Sequence, residues 1–112
     1  TSINAERGFS DNPAYAASKG GLRQLTNALA NDLATSNIRV NSVGPGYMRT
    51  DMTSKSWEDT ERRSKLEDRT MLGRWGVPDD LAGITLLLAS EASSYITGQH
   101  IYVDGGWLAK GM

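Results

Sequence analysis

The fold is decided by residues 12–46, NPAYAASKGGLRQLTNALANDLATSNIRVNSVGPG. Asn12-Pro13 predicts a helix start, because Asn is a good N-cap and Pro suits the first helical position. An apolar stripe with spacings of three and four follows, at Leu22, Leu25, Leu29 and Leu33. This spacing predicts a helix from Pro13 to about Thr35, ended by a left-handed turn at Asn37.

Two short β-branched runs predict strands. The first, Ile38 to Val43, ends at the turn 44–46, and the second, His100 to Val103, ends at Asp104-Gly105-Gly106. A short helix is expected near residues 57–68. A further helix is expected from Pro78, with a buried face formed by Leu81, Ile84, Leu87 and Leu88. Strands joined by helices predict an α/β fold with a parallel sheet.

Two strands form too small a sheet to be stable alone, and both faces of a parallel sheet need a cover. We therefore expect the neighbouring strands to come from residues upstream of Thr1 or from another chain. The length of 112 residues fits one domain.

Composition narrows the classes of function. The net charge is −1 and the basic residues form no block, which argues against nucleic acid as a partner. No apolar run approaches the roughly 18–20 residues that span a bilayer, so no membrane partner is expected. Without cysteine there is no disulfide, thiolate metal site or cysteine nucleophile, and a cytoplasmic location is expected. With His100 as the single histidine, no metal site is expected either.

Tyr15 and Lys19 are the first candidates for chemistry. Their spacing of four places them on one helix face, one turn apart. The pair alone is weak evidence, since a chain of this length contains such a spacing by chance roughly one time in five. A surface tyrosine packed on a lysine stem is the plain alternative.

Further motifs accompany the pair. Ser2 lies thirteen residues before Tyr15, residues 41–46 with Thr50 lie downstream, and Val103-Asp104-Gly105-Gly106 closes the last strand. This combination resembles the classical short-chain dehydrogenase/reductase family over nearly the whole chain. The resemblance implies that residues 1–112 are the C-terminal half of one NAD(P)-binding domain, the C-terminal part of a Rossmann-type doubly wound parallel sheet.

Part of the family pattern is missing from the chain. The N-terminal strands, the Gly-rich phosphate turn, the residues that choose between NAD and NADP, and the asparagine of the proton relay have no counterpart here. We therefore expect the chain to be a piece of a longer protein and to be inactive alone.

The resemblance also implies catalytic roles. Tyr15 would exchange a proton with the substrate oxygen, and Ser2 would hold that oxygen. Lys19 would stabilise the phenolate through its charge and bind the nicotinamide ribose. The commoner use of a loop serine, capping nearby backbone, is the alternative for Ser2.

The cofactor implied by the family is NAD or NADP. The backbone after the Pro45-Gly46 turn, through Met48, would hold the nicotinamide carboxamide, and Thr50 would help to hold the cofactor. A helix cap is the alternative role for Thr50. Residues 51–72 occupy the position of the family's substrate loop. Side chains that could face substrate there or just beyond are Met52, Trp57, Arg69 and Arg74, with solvated charge or packing as the alternative.

The expected function is an oxidoreductase that interconverts a secondary alcohol and a ketone of a small-molecule substrate. Residues 73–76 and 103–109 resemble the branch that oxidises sugar acids and polyols, such as gluconate-type dehydrogenases. A 3-oxoacyl thioester reductase of the same family is the runner-up, and a non-catalytic assembly module is the alternative from another class. A homotetramer or homodimer is expected, since the first helix has thin alanine faces and Trp107 with Leu108 is expected in an exposed tail.

Overall fold

The computed structural model describes residues 1–111, and Met112, the last residue of the predicted domain, lies outside the described residues. The chain begins with a loop that contains one 3-10 turn, Ile3–Ala5, and then forms helix α1, Pro13–Leu33. A 3-10 turn, Ala34–Ser36, extends α1 to Asn37, which has a φ of 57°. The predicted start of the helix and its left-handed end are both confirmed.

The sheet has two parallel strands, β1 (Ser42–Pro45) and β2 (His100–Val103). Ser42 lies opposite His100 in the register, and Pro45 lies opposite Val103. The predicted α/β class with a parallel sheet is confirmed. On the other side of β1, the backbone nitrogen of Thr1 donates to the carbonyl of Val43 at 2.8 Å, so the first residue lies alongside the strand.

The predicted bounds of the first strand were wrong. β1 starts four residues later than Ile38 and includes Gly44 and Pro45. The preceding residues bond instead to the irregular segment before β2: the Val40 N–H donates to Thr97 Oγ1 at 3.1 Å, and Asn41 Nδ2 donates to the Ile96 carbonyl at 2.9 Å. A regular ladder therefore begins only where β2 itself begins.

The segment between the strands contains three α-helices. Two of them, α2 (Ser54–Glu58) and α3 (Thr60–Arg69), replace the single helix predicted near residues 57–68. They separate at Asp59, which is extended and whose carboxylate accepts the Arg62 N–H at 3.0 Å, so it caps α3. A local N-cap therefore breaks a segment that composition alone would treat as continuous.

The last helix starts as a 3-10 turn, Pro78–Leu81, and continues as α4, Ala82–Leu88. The predicted start at Pro78 is confirmed. Leu87 was predicted in the buried face but is 38 % exposed, while Leu81, Ile84 and Leu88 are half-buried. Among residues 1–111, none of the helices combines the length and the apolar character needed to cross a lipid bilayer.

The leucine stripe of α1 is left largely uncovered by the described residues. Leu22, Leu25 and Leu29 are 40 %, 50 % and 36 % exposed. The buried side chains of α1 are instead Thr26 and Ala30. The apolar pattern predicted the helix correctly, but its leucines do not form this chain's own core.

A cluster of polar side chains around Glu6 joins the N-terminal loop to the rest of the chain. Tyr102 of β2 donates its hydroxyl to Glu6 at 2.7 Å, and Arg23 of α1 lies 3.1 Å from the same carboxylate oxygen. Burial, with the Glu6 hydrogen bond second, raises the pKa of Tyr102 to about 12. Glu6 thereby ties the N-terminal loop to both a helix and a strand.

The C-terminal tail packs against the same loop. Trp107 is 9 % exposed and stacks on Phe9 with ring centroids 5.2 Å apart, and the Arg69 guanidinium lies 5.1 Å from its ring. The expectation that Trp107 lies in an exposed tail was wrong, because the loop of residues 1–12 and helix α3 cover it.

Candidate active site

Ser2 is buried and lies at the start of the 3-10 turn Ile3–Ala5. Its hydroxyl accepts the Asn4 N–H at 3.2 Å and lies 3.2 Å from Asn4 Oδ1, to which it donates. The capping role that serines commonly take in loops is therefore present. Ser2 also lines two cavities.

Tyr15 and Lys19 lie on the same face of α1, as their spacing predicts. The Lys19 Nζ is 5.1 Å from the centroid of the Tyr15 ring, which is within the range of a cation–π contact. Tyr15 is half-buried and lines both of the cavities that Ser2 lines. Between the pair, Ser18 is exposed and donates its hydroxyl to the Tyr15 carbonyl at 2.7 Å, so it has a local backbone partner.

The first cavity, of about 300 Å³, contains every predicted site residue except Lys19. They are Ser2, Tyr15, Pro45, Gly46, Met48 and Thr50. Its remaining walls are mainly apolar, from Met52, Pro78 and Leu81, with Thr1 and Thr53. None of its described lining residues has a charged side chain.

The four residues at the end of β1 and just after it that were predicted to hold the cofactor are each fixed by neighbouring residues. Pro45 ends β1, and a Cβ on Gly46 would lie 2.7 Å from the Asp104 Cα, so only glycine fits there. Met48 is buried, and its carbonyl accepts the Thr53 hydroxyl at 2.6 Å. Thr50 precedes a 3-10 turn, Asp51–Thr53, and its N–H donates to Thr53 Oγ1 at 3.0 Å. The capping position expected as the alternative for Thr50 is thus observed together with a place in the cavity.

The second cavity has a volume of about 560 Å³ and is much more polar. It shares Ser2, Tyr15, Gly46, Met52 and Thr53 with the first cavity. Its other lining residues are Ile3, Asn4, Phe9, Ser10, Asp11, Asn12, Tyr47 and Arg62. Ser2 and Tyr15 therefore line both an apolar cavity and one rich in hydrogen-bonding groups.

Of the four side chains suggested to face substrate, only Met52 lines these cavities. Trp57 lies between two guanidinium groups, 4.7 Å from Arg49 and 4.9 Å from Arg63, and has its edge toward Trp75. Arg69 stacks on Trp107. Packing, the alternative, is the observed role of Trp57 and Arg69.

Arg74 forms a two-point ion pair with Asp80, with N–O distances of 2.8 and 2.9 Å. Its guanidinium also donates to the Trp75 carbonyl at 2.9 Å. The hydrogen bond from Arg74 first, and that from the Val77 N–H second, hold the pKa of Asp80 well below its usual range. Arg74 is therefore engaged in fixing the loop that carries buried Trp75.

Sequence reasoning missed two charged residues of the second cavity, Asp11 and Arg62. Asp11 has a φ of 62°, and Arg62 lies in the first turn of α3. A left-handed Asp in a polar loop has no distinctive sequence signal, and Arg62 sits among other charges in TERRSKLEDR. Burial raises the pKa of Tyr47, which lines the same cavity, and the Arg62 charge opposes this shift.

His100, Asn41 and Asp104 do not line these two cavities and are held by hydrogen bonds elsewhere. His100 bonds Ser42 Oγ at 2.7 Å and Asn27 Oδ1 at 2.8 Å, and burial, followed by the Arg23 charge, lowers its pKa. Asn41 also accepts the Gln99 N–H at 3.0 Å. The Asp104 carboxylate accepts two backbone N–H groups of the turn that follows it.

Comparison with known proteins finds relatives that match most of the chain. A family model described as enoyl-(acyl carrier protein) reductase matches residues 1–108. The chain is 48 % identical over 98 residues to 2-dehydro-3-deoxy-D-gluconate 5-dehydrogenase of Escherichia coli K12, covering 88 % of this chain and 39 % of that protein. It is 43 % identical over 109 residues to a 3-oxoacyl-[acyl-carrier-protein] reductase of Rickettsia felis, covering 95 % and 44 %.

Among solved structures, a gluconate 5-dehydrogenase from Burkholderia cenocepacia in complex with NADP and tartrate matches with a TM-score of 0.95. The identity is 36 %, and the match covers 98 % of this chain and 43 % of that one. The chain thus spans about two fifths of the length of the curated relatives it matches.

Proposed function

The chain belongs to the short-chain dehydrogenase/reductase family, and from that premise we propose that the whole protein interconverts the secondary alcohol and ketone of a sugar acid with NAD or NADP. The observation that supports this most directly is that Ser2 and Tyr15 line both cavities, with Lys19 one turn beyond Tyr15. One cavity then suits a cofactor ring, and the other suits a polyhydroxylated substrate.

The first cavity fits the nicotinamide end of the cofactor. Its apolar walls suit a flat ring, and its few hydroxyl groups can orient that ring. Pro45, Gly46, Met48 and Thr50 would hold the nicotinamide portion, and Lys19 would bind the ribose. When bound, the cofactor supplies or accepts the hydride.

Three residues of this chain act in the transfer of the proton to or from the substrate oxygen. The Tyr15 hydroxyl exchanges a proton with the substrate oxygen, and the Ser2 hydroxyl donates a hydrogen bond that positions this oxygen. The Lys19 ammonium, close to the Tyr15 ring, stabilises negative charge on the phenolic oxygen while the proton is away.

The second cavity favours a sugar acid over an acyl thioester. Asn4, Ser10, Asp11 and Asn12 all line it and can pair with hydroxyl groups. An aliphatic acyl chain would form no hydrogen bonds with these groups, whereas the hydroxyl groups of a sugar acid can. The similar Escherichia coli and Burkholderia cenocepacia proteins are named for gluconate-type substrates, and the latter is in complex with tartrate, a hydroxy acid.

The matched test is a substrate panel given to the whole protein with NAD and with NADP, in both directions. The panel contains gluconate, 5-keto-D-gluconate and a short 3-oxoacyl thioester. We expect kcat/KM for the preferred sugar acid to exceed that for the thioester by roughly a hundredfold or more, because the polar cavity rejects an apolar chain. Turnover of the thioester alone would replace this proposal by the runner-up, which the Rickettsia felis relative supports. No turnover of any substrate would favour the non-catalytic module.

We also propose a domain assignment, an oligomeric state and a location for the whole protein. Residues 1–112 belong to a single NAD(P)-binding domain in which residues 51–72 form the substrate loop. The whole protein forms a homodimer or homotetramer, for which the exposed leucines of α1 provide an apolar surface. Its location is the cytoplasm.

A further inference from the structure

Arg62 is the cation of the second cavity. It lines this cavity together with Ser2 and Tyr15, and the volume of about 560 Å³ lies within the usual range of small-molecule sites. The charged side chains among its described lining residues are Arg62 and Asp11. Within residues 1–111, the Arg62 guanidinium has no ion-pair partner.

The neighbouring cations of the same segment are engaged elsewhere. Arg63 contacts Trp57 and lies 4.0 Å from Glu67, and Lys65 forms an ion pair with Glu61 at 2.6 Å. Arg69 stacks on Trp107. Arg62 therefore differs from the other basic residues of α3 in both its place and its lack of a partner among the described residues.

The backbone fixes where Arg62 lies. Asp59 separates α2 from α3 and accepts the Arg62 N–H, so Arg62 lies in the capped first turn of α3. The guanidinium charge also opposes the rise in the pKa of Tyr47, another residue that lines this cavity.

We infer that Arg62 binds the carboxylate of the sugar-acid substrate and thereby sets both the substrate class and its orientation. A guanidinium pairs with a carboxylate through two parallel hydrogen bonds, which fixes direction as well as strengthening binding. Asp11 repels a carboxylate and accepts hydroxyl groups, so it favours the same orientation. This role rests on the proposed function, because it assigns one group of the substrate to one side chain of that site.

The test is Arg62→Gln in the whole protein. We expect KM for gluconate to rise about ten- to a hundredfold, since a charged hydrogen-bonded pair is lost, while kcat changes less than about threefold. The inhibition constant of glucitol, which has a neutral CH₂OH in place of the carboxylate, should change less than about twofold. Arg62→Lys, which keeps the charge but loses the two-point geometry, should give an intermediate KM.

Lys65→Gln is the matched control, because it removes the same charge from the same helix at a residue that lines neither cavity. The inference is overturned if Arg62→Gln raises the gluconate KM no more than this control does, or weakens gluconate and glucitol equally. Should Arg62→Gln fold poorly by circular dichroism, an unchanged KM in Arg62→Lys overturns it too. A wild-type protein that turns over no sugar acid contradicts the proposed function itself, and this result is distinct from either variant outcome.

Discussion

Replacing Tyr15 by Phe is expected to lower kcat for gluconate by about 10²–10⁴-fold in the whole protein, the usual contribution of a positioned general acid–base. The substitution removes the phenolic oxygen of a residue that lines both cavities and leaves the ring beside Lys19 in place. The KM values for gluconate and cofactor should therefore change less than about threefold. The assay follows nicotinamide absorbance at saturating substrate.

Tyr95→Phe is the control for Tyr15→Phe. Tyr95 is fully exposed and lines neither cavity, so the same loss of a phenolic oxygen should leave kcat unchanged. Equal activity of wild-type protein and Tyr15→Phe would remove Tyr15 from the chemistry.

Lys19→Met is expected to lower kcat about a hundredfold and to raise KM for the cofactor. Methionine keeps most of the apolar stem but removes the ammonium group that lies 5.1 Å from the centroid of the Tyr15 ring, so the phenolate of the proposed mechanism loses the charge of Lys19. Loss of the ribose contact accounts for the effect on the cofactor. Steady-state kinetics with each substrate varied in turn separate the two effects.

Ser18→Ala tests whether any change in this turn of α1 is harmful. The Ser18 hydroxyl is exposed and bonds its own helix backbone, so kcat should stay within about twofold of wild type. A Lys19→Met protein as active as Ser18→Ala would contradict the role of Lys19.

The sequence was most informative where local signals agree with tertiary structure. Asn12-Pro13 marks the start of α1, and Asn37 has the left-handed backbone that ends it. The spacing of Tyr15 and Lys19 brings their side chains to one face through helical geometry alone, without knowledge of what packs there.

Long-range pairing explains what the sequence did not predict. The β-branched run from Ile38 suggested an earlier strand, but the segment that faces it, residues 96–99, is irregular, and its groups form the hydrogen bonds with Val40 and Asn41. Likewise, the spacing of the leucines predicts helix α1 but not which residues cover its apolar face. Leu22, Leu25 and Leu29 are exposed in the described chain.

The site was only partly predictable for the same reason. Ser2, Tyr15 and the residues after β1 belong to recognisable motifs, and the fold brings them to one cavity. Arg62 belongs to no motif, and it is distinguished from its basic neighbours by its place in the second cavity and by the ion pairs and aromatic contacts that those neighbours make.

The most direct measurement is a crystal structure of the whole protein with the Tyr15→Phe substitution, bound to cofactor and gluconate. We expect the reacting oxygen of gluconate to lie about 3 Å from Ser2 Oγ, next to the Phe ring and facing the nicotinamide. Gluconate bound away from Ser2, or a nicotinamide outside the cavity formed by Pro45, Gly46 and Met48, would contradict the assignment of this site.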